Sequence, residues 1–197
     1  MGVQQNGRWR IVESEIVIDT PHLRLRRDRV ALPNGLEFEP YYVRESRGFA
    51  IVFAITVDER VVLVRQYKHG IGSYVLELPA GGIESGESPA ACAQRELSEE
   101  TGYVGDPPQL ELIGTYVFDP THSTSRYYLY LARIARALGP QTLDDTEDIA
   151  VELATFAELR RYVRDGTIDV SMHIASIYTV LDYLGRLGDD APAGLRT

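Results

Sequence analysis

The sequence predicts an α/β protein of the α+β kind, a mixed sheet flanked by helices, and three observations predict it. Two apolar runs, Phe49 to Ile55 and Val61 to Val64, lie either side of a turn at Asp58-Glu59-Arg60 and suit strands buried in a central sheet. A helix with a stop or start signal at each end follows, between Ser88-Pro89 and Gly102. Strands and helices then mix without the regular alternation of a doubly wound sheet.

Each element has its own reason. From Trp9 to Tyr42 the apolar residues Ile11, Ile16, Val17, Ile18, Leu23 and Leu25 come in short runs, and Leu32-Pro33-Asn34-Gly35 is a strong hairpin signal. A strand over Tyr74 to Leu78 is stopped by Pro79 and the Gly81-Gly82 turn. Ser88 is an N-cap before a proline at the first helical position, which predicts a helix from about Pro89 to Thr101. Strands are expected at Leu110 to Phe118, Tyr127 to Ile134 and Val151 to Phe156. Helices are expected at Phe156 to Arg164 and Met172 to Leu187, the latter with Ile174, Ile177, Val180, Leu181 and Leu184 at helical spacing. Tyr127, Tyr128 and Tyr130 read as strand packing. The division is a strand-rich N-terminal segment over residues 1–45, a main domain over 46–187 and a loose tail over 188–197.

With 197 residues, 44% hydrophobic and 25% charged, the chain is long enough to bury a core without disulfides or a structural metal. Its 20 basic against 29 acidic residues leave a net charge of -9, which repels nucleic acid and anionic membranes, favours divalent cations and argues against either macromolecular partner. A single cysteine, Cys92, makes no intramolecular bridge. The polar start, Met1 to Arg10, and the absence of a long apolar stretch lead to the expectation of a cytoplasmic protein.

The chemistry is concentrated in Gly81 to Tyr103, GGIESGESPAACAQRELSEETGY. At 100° per residue Ala90, Ala93 and Leu97 form a packing stripe, while Glu96, Glu99 and Glu100 share roughly 100° of arc beside it. Carboxylates crowded in this way repel one another unless a cation is supplied, and hard oxygens suit Mg²⁺ or Mn²⁺. Arg95, one turn before Glu99, can hold a carboxylate by a forked pair. None of His22, His69, His122 and His173 stands in a nucleophilic triad context, so water is the expected nucleophile.

Gly81, Glu87, Arg95-Glu96-Leu97, Glu99-Glu100 and Gly102 with Tyr103 resemble the Nudix hydrolase box at every fixed position, Tyr103 standing where an aliphatic residue is usual. The resemblance implies the Nudix α/β/α sandwich and hydrolysis of a nucleoside diphosphate linked to another moiety. It also implies Mg²⁺ ligation by Glu96 and Glu100, with Glu99 as a third ligand or support and Arg95 and Glu87 as an orienting pair. Val62 to Lys68 and Leu76 to Gly82 look like the ADP-ribose pyrophosphatase branch, in which a small N-terminal antiparallel sheet serves dimerisation and substrate binding. By that likeness the Ala80 carbonyl is a metal ligand and Lys68, usually arginine, contacts the substrate. Pro120 matches a characteristic proline of the branch, commonly followed by glycine. Thr121-His122 departs from that continuation and makes His122 a candidate substrate contact. The loop ending Glu147-Asp148-Ile149 is similar to one that supplies a carboxylate base and a further ligand, with Glu147 and Asp145 as candidates. The expected reaction is Mg²⁺-dependent hydrolysis of ADP-ribose and related ADP-sugars by a homodimer. The alternatives are GDP-mannose, another nucleotide sugar or a dinucleotide as substrate, or a nucleotide-sugar sensor without turnover.

Overall fold

The computed structural model describes residues 7–105 and 110–187, and the tail expected over 188–197 lies outside them. The chain divides into two compact units, one running to Gly48 and including Val117–Arg126, the other formed by Phe49–Tyr116 and the chain from Tyr127 onward.

The first unit is a three-stranded antiparallel sheet of β1 (Arg10–Asp19), β2 (Arg24–Ala31) and β3 (Glu37–Glu45) in that order. The hairpin expected at Pro33-Asn34-Gly35 joins β2 to β3. There the Leu32 N–H donates to the Leu36 carbonyl at 2.8 Å and Gly35 takes φ 86°, a value glycine adopts at little cost. Opposite charges face each other across β1 and β2, with Glu15 on Arg27 at 2.9 Å and Glu13 on Arg29 at 3.3 Å. Little of β1 is covered: Ile11 is 51% and Ile16 40% exposed.

The second unit is an eight-stranded mixed sheet. Its strands are β4 (Phe49–Thr56), β5 (Arg60–Lys68), β6 (Ser73–Glu77), β7 (Ala80–Gly82), β8 (Tyr103–Val104), β9 (Leu110–Val117), β10 (Arg126–Ala137) and β11 (Ile149–Thr155). The order is β11-β5-β4-β10-β8, with β6 on β5, β7 on β4 and β9 on β10; β4 and β10 run parallel. Among the described residues three helices accompany it, α1 (Pro89–Thr101), α2 (Phe156–Arg164) and α3 (Ser171–Tyr183).

The uninterrupted apolar run of β4 is explained by cover on both of its faces. Ile51, Phe53 and Ile55 pack with Leu159 of α2 and Ile177, Val180 and Leu181 of α3. Ala50, Val52 and Ala54 pack with Cys92, Ala93 and Leu97 of α1. The result is the helix–sheet–helix sandwich the resemblance implied. Tyr127 and Tyr130 are buried in β10, Tyr127 stacking on Phe49 and Tyr116, so both serve packing. No helix among the described residues is long and apolar enough to cross a membrane.

Candidate active site

The site begins with how α1 is held. Ser88 Oγ accepts the Ala91 N–H at 3.2 Å, Pro89 opens the helix, and Gly102 closes it at φ 70° with its N–H on the Ser98 carbonyl at 2.8 Å. Cys92, Ala93 and Leu97 bury one stripe against the sheet, and this fixes the rotation of the helix. Glu96 and Glu100 are thereby turned inward, 8% and 3% exposed, while the side chain of Glu99 stays 41% exposed.

Both buried carboxylates lie against the Ala80-Gly81 backbone. The Ala80 N–H donates to Glu100 Oε2 at 3.0 Å. A Cβ added at Gly81 would stand 2.1 Å from Glu96 Cδ and Oε1, so only glycine leaves that space to the carboxylate. Burial pushes Glu100 up to about 8, partly opposed by the Ala80 N–H and by Lys68. Burial raises Glu96 as well, with Arg95 opposing it and Glu99 and Glu147 adding to it.

Arg95 is placed among these acids. Its guanidinium forks onto Glu87, with Nε to Oε1 at 2.9 Å and Nη2 to Oε2 at 3.0 Å, and Glu87 falls well below the usual carboxylate range as a result. Nη1 donates to Glu96 Oε1 at 2.8 Å and to Glu99 Oε2 at 3.1 Å, and Nη2 also reaches the Gly82 carbonyl at 3.0 Å. One arginine thus ties Glu87, Glu96, Glu99 and the glycine turn together. Cys92 sits beneath, its thiol pushed up to about 12 chiefly by burial, which leaves it unreactive.

The acidic loop after β10 is fastened to the end of α1. The Gln141 amide donates to the Glu100 carbonyl and, at 2.9 Å, to the Ile149 carbonyl, and the Thr142 N–H donates to the Glu99 carbonyl at 2.9 Å. Glu147 is exposed and accepts the Asp144 N–H at 3.0 Å, closing its own turn. It still bears on Glu96, whose charged form it disfavours. Asp145 is exposed on the same turn.

Lys68, at the end of β5, meets a partner that sequence reasoning did not supply. Its Nζ lies 2.9 Å from Glu77 Oε1, and Glu77 is itself buried beside His173 of α3. The signal was present: His173 falls four residues before Ile177 on the apolar stripe of α3, and Glu77 interrupts an apolar strand. Gln141 also went unread, having only an amide to mark it.

Pro120 and His122 belong to the first unit. The Asp119 side chain accepts the Thr121 and His122 N–H groups at 3.0 and 3.1 Å, turning the loop. The His122 carbonyl accepts the Arg44 N–H at 2.7 Å, Nδ1 lies 3.1 Å from the Tyr42 carbonyl, and the ring lies 5.5 Å from that of Tyr41. Tyr41 in turn meets Trp9 and Phe38 edge to face.

Among the described residues no three His, Cys, Asp or Glu side chains are already gathered at metal-binding distances. The donor set nevertheless fits a hard divalent cation. Two carboxylates are buried with too little positive charge, one of them raised by burial to about 8, and a glycine cradle keeps the space beside them clear of side chains.

Comparison with known proteins identifies two domains in the chain. Residues 46–171 match the NUDIX domain model and residues 9–43 the nucleoside diphosphate sugar hydrolase N-terminal domain. The ADP-ribose pyrophosphatase of Mycobacterium tuberculosis is 31% identical over 86% of this chain and 81% of its own. The mouse ADP-sugar pyrophosphatase is 62% identical over a shorter stretch, 51% of this chain and 50% of its own. A solved structure of an ADP compounds hydrolase superposes with a TM-score of 0.79 at 21% identity, covering 94% of this chain and all of that one, a likeness of fold. With Arg95, Glu96, Glu99 and Glu100 of the box assembled on α1 and the domain model spanning most of the chain, the protein belongs to the Nudix hydrolase family.

Proposed function

We propose that this chain hydrolyses the diphosphate bond of ADP-ribose and related ADP-sugars, giving AMP and a sugar phosphate. The observation that carries the reading is the pair of buried carboxylates, Glu96 and Glu100, laid against Ala80-Gly81 at the end of an arginine-braced acidic face. The ADP-ribose pyrophosphatase likeness over most of the chain supports the choice of substrate.

Glu96, Glu100 and the Ala80 carbonyl, with Glu99 and Glu147 as further ligands, would hold Mg²⁺ or Mn²⁺. Bound there, the cation would neutralise the diphosphate and acidify a water for attack on phosphorus. The protein's own groups do the rest. Glu87 locks Arg95, and Arg95 fixes the rotamers of Glu96 and Glu99. Lys68 receives a phosphate oxygen, and Glu147, or Asp145 beside it, takes the proton of the attacking water after leaving its own turn. Glu99 supports the site from the exposed edge of the face. Pro120 and His122 complete the proposed substrate contacts.

We assign dimerisation to residues 1–45 and hydrolysis to 46–187, and place the homodimer in the cytoplasm. Product analysis tests the reading: ADP-ribose with Mg²⁺ should yield AMP and ribose 5-phosphate in equal amounts, and a chelator should stop the reaction. Release of ADP, or turnover indifferent to chelation, would overturn it.

A further inference from the structure

A carboxylate and an imidazole lie buried together on elements separate from α1. Glu77, at the end of β6, is 2% exposed, and His173, in the first turn of α3, is fully buried. His173 Nε2 stands 3.0 Å from Glu77 Oε2. The other oxygen, Oε1, takes Lys68 Nζ at 2.9 Å and Gln66 Nε2 at 2.7 Å. Neither His173 nitrogen has a hydrogen-bond partner among the described residues, so Nε2 and Glu77 Oε2 meet as a close ion-pair contact.

Stability alone is a poor account of such a cluster. Removing a carboxylate from water costs about several kcal/mol, and apolar residues of equal volume in place of a buried ion pair are often neutral or stabilising. What the pair does is confine a group that is not buried. The Lys68 side chain is 43% exposed, and a free lysine stem carries about 2 kcal/mol of rotamer entropy. Its partner cannot follow it into solvent, because Gln66 on one side and His173 on the other hold the Glu77 carboxylate in place. The held ammonium is next to the chemistry: its partner Glu77 stands three residues before Ala80, whose N–H meets Glu100 at 3.0 Å.

We propose that Glu77 and His173 are positioning residues that hold the Lys68 ammonium beside the carboxylate face of α1, ready to receive a phosphate of the substrate. The inference rests on the diphosphate-hydrolase reading. It predicts a binding effect transmitted through Lys68, with the buried pair touching neither substrate nor metal.

A double-mutant cycle tests it. With ADP-ribose and Mg²⁺, Lys68→Ala and His173→Ala should each raise KM by about tenfold with kcat changed less than about threefold, the pattern of lost ground-state binding. The double variant should be no worse than Lys68→Ala, since a positioning residue has nothing left to position. His173→Gln, whose amide can still reach Glu77 Oε2, should recover most of the loss. Multiplying losses in the double variant, or a lower melting temperature at unchanged KM, would overturn the proposal. If His173→Ala does not fold, Glu77→Gln takes its place in the cycle with Lys68→Ala, and either of those two results overturns the proposal there as well. Should another nucleoside diphosphate prove to be the substrate, the cycle with that compound decides the positioning claim, and only the substrate reading fails.

Discussion

Glu100 joins fold energetics to the proposed catalysis in one side chain. Burial raises its pKa from 4.5 to about 8, so without a cation the folded state holds a proton that the unfolded chain releases. The folded state then binds more protons between those values, and stability of the metal-free protein falls as pH rises from about 4.5 through about 8. Glu100→Gln removes the dependence. In chelator the variant should match the wild type near pH 4 and exceed it by roughly 2 to 4 kcal/mol at pH 9, read by urea melts. Parallel pH profiles would contradict the assignment. With Mg²⁺ the same variant should lose at least about 10²-fold in kcat, the scale of lost charge stabilisation at a transition state. Gly81→Ala probes the cradle from the other side. Its Cβ would stand 2.1 Å from the Glu96 carboxylate, and the glycine has no left-handed φ to lose. Activity should fall by about 10²-fold with a melting temperature within a few degrees of the wild type, as a misplacement of about 1 Å allows. Full activity would show that Glu96 moves aside without consequence.

Among the elements, α1 is where sequence and structure correspond most closely, because both of its ends are written in residue types with one physical use. Ser88 before Pro89 caps the start, and Gly102 supplies the left-handed end. Ser88→Ala should cost about 1 kcal/mol, the worth of one capping bond. Gly102→Ala should cost more, about 2 kcal/mol, because the added Cβ meets both a φ of 70° and the Gly139 carbonyl at 2.3 Å. Equal costs in thermal melts would contradict that close approach. α2 spans the Phe156 to Arg164 expected for it, and the structure adds a capping box of Thr155 and Glu158 at its start. The expected third helix ran to Leu187, whereas α3 stops at Tyr183 and the chain turns at Gly185, φ 68°, with apolar spacing continuing past the turn. The parallel pairing of β4 with β10 could not be read, because an apolar run buried on both faces carries no register. Arg95, Glu96, Glu99 and Glu100 were legible because their spacing on one helix brings them together, and Glu87 because it stands just before that helix. Glu77, His173 and Gln141 were not, because each reaches its partner across elements distant in sequence.

For the molecule as a whole, charge and assembly are the quantities to measure. The net charge of -9 sets the background into which the proposed divalent cation and anionic substrate would be drawn, with Lys68 and Arg95 as positive charges at the candidate site. The exposed apolar residues Trp9, Ile11, Ile16, Val17 and Ile18 on or beside β1 are more than a solvated strand needs, in keeping with the proposed homodimer. Light scattering at micromolar protein should give twice the 22.0 kDa chain mass, and a mass near one chain would count against dimerisation. The most direct test of the central claim is a substrate panel with Mg²⁺, comparing ADP-ribose, ADP-glucose, GDP-mannose, NADH, coenzyme A and diadenosine polyphosphates by phosphatase-coupled phosphate release. The account predicts the highest kcat/KM for ADP-ribose. A tenfold preference for GDP-mannose or a dinucleotide, about 1.4 kcal/mol of transition-state discrimination, would contradict the substrate assignment, and failure to hydrolyse any of the panel would contradict the hydrolase itself.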